Sequence, residues 1–222
     1  MKKWLYRMEY KYGKNAVNNL MLTVVIGMAI VYLADRLNPT VDLQGFLYLY
    51  RPALAHGQLW RLITFIFLPP TNGGMLGIFG VLISLYFYYF IGSSLERTWG
   101  SFRFDVYYLC GVLGAVLSCL LTGYADNYYL NMSLFFAFAA LYPDMQVLLF
   151  YFIPIKVKWL ALLDAVLFLI SFVTGGWPTR VSILMSLINF FLFFGPDVFH
   201  RIAGDSRYWK DRALYRWRNR KQ

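Results

Sequence analysis

Apolar residues fall into long charge-free runs along this chain, not into the one-faced stripes of a soluble domain. Ala16–Ala34 is a run of 19 residues without a charge. A helix needs roughly 20 apolar residues to cross a hydrocarbon core, so this run predicts span one. Leu62–Leu95 continues for 34 residues without a charge, too long for a single crossing. The turn signal Pro69-Pro70-Thr71-Asn72-Gly73-Gly74 divides it. Span two is therefore predicted at Met75–Gly92, after a short buried or re-entrant piece. Val106–Ala125 predicts span three, Trp159–Thr174 span five and Val181–Gly195 span six. Asn131–Tyr142 gives only about a dozen residues before Pro143, roughly 18 Å of helix. It predicts a short fourth span enclosed by other helices. Val147–Pro154 is a further apolar stretch, expected to lie at the membrane interface.

With no internal repeat and no low-complexity linker, the pattern predicts one all-α polytopic membrane domain of six helices over residues 19–199. A basic N-terminal segment, 1–18, and a basic, aromatic tail, 200–222, flank it. The first segment exceeds a signal-peptide n-region, and no small-x-small cleavage site closes the first run, so span one is read as retained. Composition agrees: 59% of the 222 residues are apolar and 14% charged, against about 25% charged in soluble domains. Aromatics at 20% suit two membrane–water interfaces. Two cysteines, Cys110 and Cys119, are too few for a disulfide framework and read as core residues.

The net charge of +10 resembles that of a nucleic-acid binder until its placement is considered. Six spans with both ends cytoplasmic put 17 of the 21 lysines and arginines inside, leaving Arg36, Arg51, Arg61 and Arg180 outside. That asymmetry follows the positive-inside rule. Basic residues beside a span attract anionic lipid headgroups, so the expected partners of the termini are anionic lipids, and no nucleic acid is expected.

Three motifs stand in order along the chain. The first external loop ends in His56-Gly57-Gln58-Leu59-Trp60-Arg61-Leu62-Ile63-Thr64. Span two closes with Gly92-Ser93-Ser94-Leu95-Glu96-Arg97-Thr98-Trp99-Gly100-Ser101-Phe102-Arg103-Phe104. Tyr142-Pro143 then leads through an apolar run into Phe152-Ile153-Pro154. In order and spacing these resemble the rhomboid-like superfamily, which holds rhomboid intramembrane proteases and derlins, over nearly the whole chain. Trp60-Arg61 and the Leu95-Glu96…Trp99-Gly100-Ser101 loop are its most specific parts, and Trp60-Arg61-Leu62-Ile63-Thr64 and the closing Phe193-Phe194-Gly195-Pro196-Asp197-Val198-Phe199 resemble the derlin branch in particular. The resemblance implies a six-helix bundle with a short central fourth helix. It also marks Trp60, Arg61, Glu96, Trp99 and Gly100 as fold-signature residues. Read physically, Trp60 and Arg61 combine an interfacial anchor with a forked donor, and Glu96 and Arg97 cap a helix end.

A rhomboid protease needs a serine in a Gly-x-Ser-x pattern at the start of span four and a histidine base on span six. It also needs oxyanion donors that include an asparagine on span two. The chemistry requires this, since an alcohol is a poor nucleophile until a base takes its proton and the oxyanion needs donors aimed at it. Here the stretch reads Asn131-Met132-Ser133-Leu134. The span-two asparagine and histidine positions fall on Ser84 and Gly80. Span six carries Ser182, Ser186 and Asn189 but no histidine. The chain has only His56 and His200. His200 is expected about a bilayer, roughly 30 Å, from Ser133, whereas His56 lies in the first external loop, on the same side.

Asp164, six residues beyond Lys158, is the one acid within a predicted apolar span, a functional candidate by default, or else a residue that snorkels or pairs with a lysine or an amide. Asp105 reads as a structural acid at a helix start. Small residues at Gly111, Ala115, Ser118 and Cys119 on span three, and Ser182 and Ser186 on span six, allow close helix packing. No Cys/His cluster has metal-ligand spacing, and no cofactor is expected. The resemblance implies a pseudoprotease that binds transmembrane segments of client membrane proteins in quality control or turnover. A serine protease using Ser133 and a small transporter or channel using Asp164 stand as alternatives. Short length without a C-terminal retrieval motif leads to the expectation of a bacterial plasma membrane.

Overall fold

A computed structural model describes residues 3–38, 42–70, 77–149 and 153–195. The basic tail 200–222, with His200, and the closing residues 196–199 lie outside the described residues. Ten α-helices are described: α1 (Lys3–Tyr12), α2 (Leu20–Leu37), α3 (Leu43–Leu47), α4 (Arg51–Ala55), α5 (Arg61–Thr64), α6 (Gly77–Trp99), α7 (Ser101–Thr122), α8 (Tyr128–Leu141), α9 (Val157–Thr174) and α10 (Trp177–Gly195). Short strands β1 (Leu49–Tyr50) and β2 (Tyr124–Ala125) pair antiparallel, as do β3 (Gln146–Leu149) and β4 (Ile153–Lys156). The chain is an all-α polytopic membrane fold. Five helices, α2, α6, α7, α9 and α10, are long and apolar enough to cross a membrane, and α8 is a shorter apolar helix.

The expected spans match these helices with shifted ends. The largest shift is in α6, which runs on past Gly92 to Trp99. Glu96 and Arg97 therefore lie inside the helix and not in a loop. Ser94 donates to the Phe90 carbonyl and Thr98 to the Ser94 carbonyl, so the polar side chains bond back along the helix instead of breaking it. Gly100 alone joins α6 to α7 at φ +83, a backbone setting that L side chains seldom adopt. The described parts of the stretch Val147–Pro154 belong to the strands β3 and β4, with Val147 opposite Ile155 and Leu148 opposite Pro154. The proposed re-entrant piece is α5 followed by a 3₁₀ turn at Phe65–Phe67, with Phe65 and Leu68 buried.

Two networks close the bundle at opposite ends. At the first, the Val17 N–H donates to Asp105 Oδ2 (2.7 Å) and the Asn19 N–H to Glu96 Oε1 (2.7 Å). Glu96 Oε1 also accepts from Ser101 Oγ (2.8 Å). Arg103 pairs with Glu9 (2.6 Å), which docks α1 against α7. At the second end, β1 pairs with β2, Arg51 donates to the Leu120 carbonyl, and Asn127 Nδ2 donates to the carbonyls of Ile66 (3.2 Å) and Leu68 (2.9 Å). Between them lies the main core, built around Met21, Val24, Met28, Leu95, Phe104, Tyr107, Leu134 and Phe138. α8 supplies the most continuously buried helix, as the short fourth span was expected to do.

Candidate functional site

The candidate site is a polar seam inside the membrane bundle, where α7, α8 and α10 meet. Its position is set at the start of α8. Asn127 ties that start to the Ile66–Leu68 turn, and Asp126 Oδ1 accepts the N–H of Tyr128 (3.0 Å), one of the amides a helix leaves unbonded at its first turn. One and a half turns on, Ser133 is 0% exposed. The Tyr107 hydroxyl from α7 donates its one proton between the Ser133 carbonyl (2.9 Å) and Ser133 Oγ (3.1 Å). Asn189 Nδ2 from α10 reaches Ser133 Oγ at 3.5 Å and the Tyr107 carbonyl at 3.4 Å. Around this centre Ser186 donates to the Tyr129 carbonyl (2.8 Å), and Ser118 and Ser182 share a hydroxyl–hydroxyl bond (2.8 Å) across α7 and α10.

A narrow cleft runs along the seam, lined by Asp126, Tyr129, Ser133, Ser182 and Ser186 among others. It has room for about one water molecule. Asp126 along it is half-buried, and desolvation pushes its carboxyl above the usual carboxylate range. Tyr124 and Tyr48 beside it are likewise raised by burial, with the Asp126 charge adding to both. Among the described residues, the buried Asn131 Oδ1 and Asn189 Oδ1 have no hydrogen-bond partner.

Among the described residues no imidazole joins this centre. His56, at the end of α4, is exposed, with Nδ1 2.7 Å from the Pro52 carbonyl. Asn189 faces Ser133 from α10, and a carboxamide takes no proton from an alcohol at neutral pH. The hydroxyl is held in a hydrogen-bond network rather than activated by a base.

The signature residues lie apart from the seam. Glu96 and Gly100 belong to the first end network. Trp99 joins that end to the seam by packing edge-on to Tyr107 (5.5 Å) and against Phe194 (5.1 Å). Arg61 is only 7% exposed and organises the opposite end, donating to Gln58 Oε1 (2.7 Å) and to the carbonyls of Gly45 (2.7 Å) and Tyr48 (2.8 Å). Its neighbour Trp60 is 51% exposed. Asp105 sits in the second turn of α7 and serves Val17, so its role is to cap the chain entering α2 and not its own helix.

Asp164 is in the middle of α9, on the inward stripe formed with Val157, Ala161, Phe168 and Ser171. Phe168 packs edge-on to Tyr129 (5.5 Å) and Phe136 (5.2 Å) of α8. Asp164 Oδ2 is buried without a hydrogen-bond partner. The lysine partner considered for it is engaged elsewhere, since Lys158 (3.0 Å) and Lys156 (3.3 Å) both bind Asp144. Those bonds, Lys158 first, hold the exposed Asp144 carboxyl below its usual range. Tyr107 and Asp126 escaped the sequence reading. Tyr107 is one of 18 tyrosines, and nothing in its neighbours separates it from the others.

The chain belongs to the family described as eukaryotic integral membrane protein (DUF1751), which it matches over residues 18–194. No curated protein matches it. Membership in a eukaryotic family overturns the expectation of a bacterial plasma membrane. Chain length carries no lineage signal, because apolar helices fill much the same hydrocarbon thickness in any bilayer.

Proposed function

We propose that this integral membrane protein is a rhomboid-like pseudoprotease of the derlin kind, which holds transmembrane segments of client proteins without cutting them. Its process is membrane-protein quality control or turnover. The reading is carried by one observation: Ser133 Oγ is fully buried and bonded by Tyr107, with the amide of Asn189 beside it. A nucleophile needs both a base and a path for the scissile carbonyl. Here the hydroxyl has a donor where a base belongs and no exposed surface.

Client holding is supported by helix length. The 14 residues of α8 span roughly 21 Å, short of the roughly 30 Å hydrocarbon core. The resemblance to derlins implies a locally thinned bilayer around such a short central helix, which would lower the cost of a client span carrying polar residues. The positive-inside asymmetry of the sequence supports cytoplasmic termini, whose basic residues would meet anionic headgroups.

Purified protein in proteoliposomes, incubated with a single-span reporter, tests the reading. The expected result is photocrosslinking of the reporter to a probe at Trp60, no cleavage, and no labelling by a fluorophosphonate. Cleavage that disappears in Ser133→Ala overturns it in favour of an intramembrane serine protease.

A further inference from the structure

We infer that Asp164 is the docking point for a basic side chain carried within the membrane-spanning segment of a client, a proposal that rests on the client-holding reading above. An ionisable side chain in a hydrocarbon core is costly unless it is paired, and among the described residues the buried Asp164 Oδ2 has no hydrogen-bond partner. The cations at either end of α9 are committed elsewhere. Lys156 and Lys158 bind Asp144 at its start, and Arg180 binds the Phe172 (2.9 Å) and Val173 (3.0 Å) carbonyls near its end.

Asp164 lies seven residues into α9 and ten before Thr174, or roughly 10 Å and 15 Å from the two helix ends. A cation that pairs with it must therefore come from within the membrane. The helix that carries it is the least buried of the five long spans. Among its neighbours are the short α8 and the strand β4. On one flank of the stripe that carries the acid, Leu163, Leu167 and Ile170 present an exposed apolar surface. An apolar helix with one arginine or lysine at mid-depth complements both features at once: leucine-like packing along α9, and a charge-assisted bond at Asp164.

The full chain, reconstituted in phosphatidylcholine vesicles with a photoreactive residue at Leu167, is presented with matched single-span reporters. Their central residue is Arg, Lys, Gln or Leu. The Arg and Lys reporters are expected to crosslink about tenfold more than the Leu reporter, the scale of one good interhelical polar contact. Asp164→Asn removes that preference and leaves capture of the Leu reporter unchanged, while Asp164→Glu keeps it. Equal capture of Arg and Leu reporters by the unaltered chain overturns the inference alone, whatever the stability of the variants. A preference that persists in Asp164→Asn does the same. Failure to capture any reporter overturns the client-holding reading together with it.

Discussion

Tyr107 spends a single hydroxyl proton on two oxygens of Ser133, and no other described side chain reaches that serine except Asn189. Replacing Tyr107 with Phe leaves the packing against Trp99 and Phe193 in place but strips the serine of its main donor. The expected loss is about 1–2 kcal/mol, read as a lower thermal midpoint in detergent. Arg61 makes a sharper case. A lysine keeps the charge but not the forked geometry that reaches Gln58, Gly45 and Tyr48 together. Arg61→Lys should cost about 2 kcal/mol and speed hydrogen exchange selectively in residues 43–64. Ser133, Asn189 and Arg61 could be picked out from the sequence because a resemblance drew attention to their positions. Tyr107 could not be, since its role is fixed by a carbonyl and a hydroxyl 26 residues away. The missing lysine at Asp164 was equally invisible. Only the folded chain shows that Asp144 holds both candidates.

Helix contacts carry the next level of organisation. α2 crosses α6 where Gly92 faces Met21, and a Cβ built on Gly92 overlaps Met21 Cγ and Cβ. Because the obstacle includes the root of the methionine side chain, the helices themselves must separate. Gly92→Ala is expected to cost about 1–3 kcal/mol, checked by denaturation and by weakened disulfide crosslinking between cysteines placed on α2 and α6. Apolar run length located every long helix, because hydrocarbon thickness imposes it. It missed the ends, as at Glu96 and Arg97, where polar side chains have partners that keep them helical or joined to neighbouring segments. It also missed the β3–β4 ladder, whose pairing depends on register between two strands rather than on any property of either alone.

For the molecule as a whole, the two ends respond to pH in opposite directions. Burial raises the Asp126 carboxyl. Its contribution to folding is therefore fullest below the unfolded value and falls as pH rises through the higher folded one. Asp144 is lowered by Lys158 and Lys156, so its contribution is present above the unfolded value and fades as pH drops through the folded one. Asp126→Asn keeps an acceptor for the Tyr128 amide, removes the charge, and should raise the thermal midpoint at pH 7 more than at pH 4. A scan of melting temperature against pH for both chains measures this.

The amides of Val17 and Asn19 look to acceptors 88 and 77 residues further along the chain. While a ribosome is still making the second span, neither Glu96 nor Asp105 exists for them. The first helix must then wait in the bilayer as a lone segment, free to tilt or to invert, until the corner at Gly100 has emerged. A nascent chain arrested before residue 96 should accordingly show mixed orientation of its N-terminus, and one arrested well past residue 105 a single orientation.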